Sequence, residues 1–263
     1  MKESKFIIKR FDKIFLALSV TLLFLFSQSL ISQTSAAYKN AADAIRIAQD
    51  SKQFLVLLFY DKKTESLKAM ETTVNEFRKT TSVKTLFYKV RITDDKEKDI
   101  VTKYNINIAP VPLLLVFAPN GAITGGFPQQ VKSQELKKCF AISEMDMEIM
   151  KPLQEGKIVL VLLQNKSTKF NHESNKVAVE FQDDSRIKGY VEIVRADPDD
   201  SQNKEFMKQC KLETGQKDAT IVLLVPPGNI GGIYKGKTTK DVLIGGLAAC
   251  SSGGCGSGGC STK

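Results

Sequence analysis

The chain has 263 residues, a formal net charge of +9, and hydrophobic and charged fractions of 42% and 25%. That balance fits a folded protein of one large or two ordinary domains, and it excludes a largely disordered chain. A single histidine, His172, and no tryptophan exclude a histidine-rich metal centre and leave little room for a Ser-His-Asp or Cys-His engine.

The first residues carry Lys2, Lys5, Lys9, Arg10 and Lys13 against Glu3 and Asp12. An uncharged apolar run from Ile14 to Phe26 follows, then small and polar residues ending at Ala36-Ala37. A basic region, a short apolar region and small residues are the order of a secretory leader, with cleavage expected after Ala36 or Ala37. The other reading is an uncleaved anchor over residues 14–31, near the lower limit for a membrane span. Either way the remainder is expected to be exported, to the periplasm or cell envelope, since Lys and Arg crowd the short N-terminal side. Residues 1–37 hold five positive and two negative charges, so the rest of the chain falls from +9 to +6. Its lysines are interspersed with acids, as in Asp94-Asp-Lys-Glu-Lys-Asp99, so nucleic-acid binding is not indicated.

Beyond the leader, the hydrophobic period alternates between helix and strand. Ala41–Ser51 has helical spacing, and Phe54–Tyr60 is a continuous apolar run suited to a central strand. Leu67, Met70, Val74 and Phe77 mark one face of a helix, and Leu86–Ile92 reads as a strand. Asp94-Asp95 suits the start of a helix through Tyr104. Pro112–Ala118 is a second buried strand, Pro119-Asn120-Gly121 a turn, and Ala122–Phe127 a short strand. Ser133 is expected to cap a helix from Gln134 to about Ile142.

The order then returns. Lys157–Leu163, Gly189–Val194, Thr220–Val225 and Ile230–Tyr234 read as strands, and Asn171–Gln182, Asn203–Leu212 and Thr239–Ala249 as helices. The turn prolines Pro119 and Pro227 lie 108 positions apart, about one small domain. The pattern predicts a tandem duplication, residues 38–144 and 145–249, joined by a linker near Ser143–Gly156.

This strand and helix order, with Tyr104-Asn-Ile-Asn-Ile-Ala-Pro-Val-Pro-Leu-Leu-Leu-Val-Phe-Ala-Pro-Asn-Gly121, resembles the thioredoxin-like superfamily. The resemblance implies α/β architecture: two tandem thioredoxin-like domains, each a central mixed sheet flanked by helices. It is stronger in the first unit. It places the superfamily's cis-proline at Pro112, with Pro110 as the alternative, and makes Val111 and Pro112 either a peptide-facing loop or a relic of the fold. The superfamily's dithiol would stand at the start of the helix after the first central strand, where the helix N-terminus lowers a thiol pKa. Thr64-Glu65-Ser66-Leu67 occupy that position, and Leu163–Thr168 the corresponding one in the second unit. Neither contains cysteine, so neither unit is expected to run dithiol exchange. Thr64 and Ser66 lack a base to activate them and read as helix caps.

Cys250, Cys255 and Cys260 repeat at five-residue intervals in a Gly/Ser background expected to form a flexible, disordered tail, residues 250–263. Three soft thiolates suit Cu(I), or Zn(II) with a fourth ligand, although the spacing is not that of common zinc knuckles. Reversible disulfide formation and covalent modification are the other readings. Cys139 and Cys210 fall on helices and read as core residues. Asp197-Pro-Asp-Asp200 lacks the remaining ligands of a calcium loop and reads as a cap. The expected function is that of an exported, redox-inactive binding or scaffold protein with an unidentified protein or peptide partner, its tail capturing a soft metal or exchanging thiols. It would meet a membrane only through an uncleaved leader. The competing class is an atypical thiol-disulfide oxidoreductase using the tail cysteines.

Overall fold

The computed structural model describes residues 38–251; the leader, Cys255 and Cys260 lie outside them. Helix α1 (Ala41–Asp50) opens on Asn40, whose side chain accepts the Asp43 N–H. Strand β1 (Phe54–Tyr60), helix α2 (Glu65–Thr80) and strand β2 (Thr85–Arg91) follow. A 3₁₀ turn at Asp95–Glu97 leads into α3 (Lys98–Lys103), then β3 (Leu113–Phe117), β4 (Ile123–Pro128) and α4 (Ser133–Lys138). The sheet order is β2-β1-β3-β4, with β1 parallel to β2 and antiparallel to β3. Residues of β1 point alternately to two cores. Leu55, Leu57 and Phe59 meet α1 and α3, while Val56 and Leu58 meet α2 and α4. Helices on both faces explain why this strand is apolar throughout rather than alternating.

The second half repeats the plan with α5 (Glu144–Gln154), β5 (Ile158–Leu163), α6 (Asn171–Gln182), β6 (Val191–Ala196), α7 (Lys204–Gln209), β7 (Thr220–Val225), β8 (Asn229–Lys235) and α8 (Lys240–Ser251). Its sheet runs β6-β5-β7-β8, with the same parallel and antiparallel pairings. Two mixed four-stranded sheets with this order, each flanked by helices, make two tandem thioredoxin-like units.

Several expected boundaries shift. The segment expected as a linker, Ser143–Gly156, is instead α5, capped by Ser143, whose Oγ accepts the Asp146 N–H at 3.0 Å. This helix serves two cores. Met145, Ile149 and Leu153 are buried in the second unit, while Met147 and Met150 pack against the first. Side-chain amides fasten it further. Asn120 Nδ2 donates to Met147 O at 2.6 Å. Gln154 both accepts the Ile123 N–H and donates to Ile123 O, each at 2.8 Å. Gln154 thereby supplies the edge of β4 with the two bonds a further strand would make. Ser133 is the first residue of α4 rather than its cap; Lys132 holds the cap position without a side-chain bond, and α4 ends at Lys138 instead of near Ile142. Strand β6 lies two residues beyond its expected place. Helix α8 extends to Ser251, so Cys250 belongs to its last turn and not to a tail.

The clamp on α8 is ionic. Asp184, buried between elements, takes Arg186 Nε at 2.8 Å and Lys240 Nζ, at the head of α8, at 3.0 Å. Hydrogen bonds from Arg186 and then Lys240 hold its carboxyl well below the usual carboxylate range. A carboxylate with a depressed folded-state pKa stabilises at pH above its unfolded value, and loses that contribution as pH falls toward the folded one. Unfolding followed from pH 7 down through about pH 4 and below is therefore expected to show a loss of stability on acidification that Asp184→Asn lessens. An unchanged acid limb in Asp184→Asn would refute the clamp. Further along α8, Gly246 is required by space, because a Cβ there would overlap the Tyr234 hydroxyl and crowd Gly231 O.

Candidate functional site

Strand β1 delivers the chain to the N-terminus of α2, and the pairing of Phe59 with Leu113 puts Pro112 at the same sheet end. The Val111–Pro112 peptide bond is cis; Pro110 is not preceded by one. Thr64 is the N-cap of α2, and its Oγ1 accepts the Leu67 N–H at 3.2 Å and lies 3.1 Å from Ser66 Oγ. Thr64 and Leu67, three positions apart, thus bracket the first turn of α2. Thr64 and Glu65 are exposed, Ser66 is half-buried, and Leu67 is buried in the core under α2. An open cavity of about 490 Å³ borders this tip, lined by Tyr60, Lys63, Thr64, Glu65, Leu67, Lys68, Glu71 and Lys89. Glu71 is paired with Lys89 at 3.1 Å. The arrangement holds no nucleophile beside a base, and the exposed His172 lies on α6 of the other unit.

Pro112 is buried, and its carbonyl accepts the Gln129 N–H at 2.6 Å. Val111 is half-buried, and among the described residues no hydrogen bond engages its backbone N–H or C=O. Three residues earlier in the chain, Ile108 is 81% exposed. A half-buried peptide unit without partners at a sheet end is suited to pairing with an extended segment.

The second unit closes the same place from within. Pairing of Leu163 with Thr220 puts Ala219 where Pro112 stands in the first unit. Lys169 N–H donates to Lys217 O at 2.9 Å, and Ala219 N–H donates to Lys169 O at 2.8 Å. The loop before α6 therefore bridges alongside Asp218, the residue aligned with Val111, through the peptide groups on either side of it. Phe170, in the left-handed region with φ 64°, fills the helix-cap position without a side-chain bond. A cis bond does occur in this unit, at Pro226–Pro227, but in the β7–β8 turn. Nothing in the composition of Asn165–Phe170 signals the closure, because backbone groups make it.

Two thiols, those of Cys139 and Cys210, are sequestered. Cys139 and Cys210 are both free and buried. Burial raises the Cys139 thiol and pushes Cys210 up to about 11, so both are poor nucleophiles near neutral pH. Asp197 and Asp199 receive the Asn165 side-chain N–H groups at 2.8 and 2.9 Å, which makes this acidic turn a loop clasp. Among the described residues, no group of three or more His, Cys, Asp or Glu is placed to hold a metal ion. No helix among them is long and apolar enough to cross a membrane.

No family model and no curated protein matches the chain. Solved structures similar to it include the germline-specific thioredoxin Deadhead of Drosophila melanogaster. That likeness has 22% identity and a TM-score of 0.32, covering 40% of this chain and 96% of the other. The N-terminal domain of the alkylhydroperoxide reductase AhpF from Enterococcus faecalis is 16% identical with a TM-score of 0.30, over 78% of this chain and 98% of that one. The first two thioredoxin domains of Saccharomyces cerevisiae Eps1p are 13% identical with a TM-score of 0.29, over 81% and 96%. The fold assignment rests on strand order and pairing in each half.

Proposed function

We propose that this chain is an exported, redox-inactive binding protein with domains at residues 38–144 and 145–249. The first domain takes an extended polypeptide along Val111, and Cys250, Cys255 and Cys260 capture a soft metal ion, Cu(I) or Zn(II), or exchange thiols. The observation that carries this reading is the α2 tip, where Thr64 supplies the cap that a reactive thiol would otherwise provide. The buried state of Cys139 and Cys210 supports it by leaving reactive sulfur to the C-terminal cysteines. The unpartnered backbone of Val111, at a place where the second unit carries its own bridge from Lys169 to Asp218, supports peptide docking in the first unit.

The test has two arms. A permanently unfolded, carboxymethylated protein serves as the polypeptide probe. Binding is expected to perturb the Val111 amide in NMR titration and to leave its counterpart, the Asp218 amide, unmoved; equal perturbation of both would refute the docking assignment. In the second arm, disulfide turnover is compared between the parent chain and one with the three C-terminal cysteines changed to serine. No turnover, with stoichiometric Cu(I) or Zn(II) uptake that disappears in the serine chain, is expected. Turnover lost with the serines would establish the oxidoreductase instead.

A further inference from the structure

A second cavity, of about 360 Å³, opens in the second unit between α5, α7 and the β7–β8 turn. Its walls include Ile149 and Leu153 of α5, Phe206, and the thiol-bearing Cys210. Asp146 and Glu205 line it as well, and no lysine or arginine does. That asymmetry is unexpected in a chain with 38 Lys and Arg against 29 Asp and Glu. Asp146 accepts the Ser143 hydroxyl at 2.8 Å through Oδ2. Among the described residues neither Asp146 nor Glu205 forms an ion pair, although ion pairs tie many other acids of this chain.

From this pairing of an apolar wall with two unpaired carboxylates, we propose that the cavity binds a small amphipathic cation: an aliphatic body with one ammonium or guanidinium group. The volume lies in the range of small-molecule sites, which join an apolar lining to a few placed polar groups. The aliphatic part would displace water from Ile149, Leu153 and Phe206, and the cationic head would sit between Asp146 and Glu205 at the mouth. The site is distinct from the Val111 edge and from the C-terminal cysteines, and does not depend on either.

Cys210 is a built-in reporter. In a full chain with Cys250, Cys255 and Cys260 changed to serine, its alkylation rate reads occupancy, and buried Cys139 in the first unit serves as the reference. The probes are n-butyl-, n-hexyl- and n-octylammonium, with n-octyl sulfate and n-octanol as the anionic and neutral counterparts. Octylammonium is expected to slow Cys210 alkylation saturably with little effect on Cys139. Its affinity should rise by up to about fourfold per methylene until the cavity is full. Glu205→Gln, an exposed position, is expected to weaken octylammonium about threefold or more and to leave octanol unchanged; Asp146→Asn should act in the same direction. Equal protection by octyl sulfate, absence of chain-length dependence, or parallel slowing of Cys139 would overturn the proposal. So would binding of a basic amphipathic peptide without any binding of the alkylammonium series.

Discussion

A chain carrying Thr64→Cys and Leu67→Cys is expected to gain disulfide-reducing activity at the α2 tip, beyond whatever the parent shows. Position 64 is the N-cap of a sixteen-residue helix, and its side-chain oxygen already sits 3.2 Å from the Leu67 N–H. A sulfur placed there faces free helix N–H groups and the positive end of the helix dipole, which favour thiolate over thiol. Position 67 is buried, so a second thiol there would be shielded from solvent and held one turn along. The expected sequence is attack by the thiolate at position 64 on a substrate disulfide, formation of a mixed disulfide, and displacement by the sulfur at position 67. The reduced substrate departs and positions 64 and 67 remain joined as a disulfide, to be recycled by added dithiothreitol. Made in the background with Cys250, Cys255 and Cys260 changed to serine, the double variant should turn over a small disulfide substrate. Thr64→Cys alone should react once and stop. Its alkylation at pH 7 should exceed that of the unfolded chain by about tenfold. A thiol at position 64 no faster than an unfolded one would mean that the α2 tip does not favour thiolate.

Glu97→Ala is expected to destabilise the first unit by about 2 kcal/mol, through one buried and one half-buried donor left without acceptors. Glu97 is 1% exposed; its Oε2 accepts the Ala41 N–H at 2.8 Å and its Oε1 accepts the Tyr88 hydroxyl at 2.7 Å. One carboxylate therefore joins the first turn of α1, strand β2 and the 3₁₀ turn before α3. Burial and this carboxylate together raise the Tyr88 pKa, so the phenol stays a donor through the ordinary pH range. Glu97→Gln retains one acceptor oxygen and should cost roughly half as much. Urea denaturation followed by far-UV circular dichroism measures both. A Glu97→Ala loss below about 0.5 kcal/mol would show that water replaces the carboxylate without penalty.

How far the sequence discloses this molecule depends on which groups do the joining. Strands such as Phe54–Tyr60 and Thr220–Val225 are legible because helices cover both sheet faces and nearly every side chain is buried and apolar. Pro112 is legible because a strand follows it directly and a turn follows the strand. Helix α5 is hidden by the same cause that makes it important. Its apolar residues face two cores, so Met145, Met147, Ile149 and Met150 crowd more than one side and blur the single stripe that identifies a surface helix. Pro152 near its end adds a false break signal. The roles of Gln154 and of the Lys169 backbone leave no periodic trace, since one amide and a few peptide groups perform them. The cavity at Asp146 and Glu205 draws on α5, α7 and a hairpin turn, elements that only the folded chain brings together.

The double duty of α5 bears on how the protein is made. As the polypeptide leaves the ribosome, the edge of β4 is synthesised some thirty residues before Gln154, the group that finishes it. Until then, Ile123 offers an unsatisfied rim and the hydrophobic floor beneath Met147 and Met150 lies bare, the kind of surface that invites chaperones or strand exchange between neighbouring nascent chains. Fragments cut at position 143 would keep that immaturity permanently. The first half should accordingly be the less soluble of the two when expressed alone, and extending it through residue 156 should restore it.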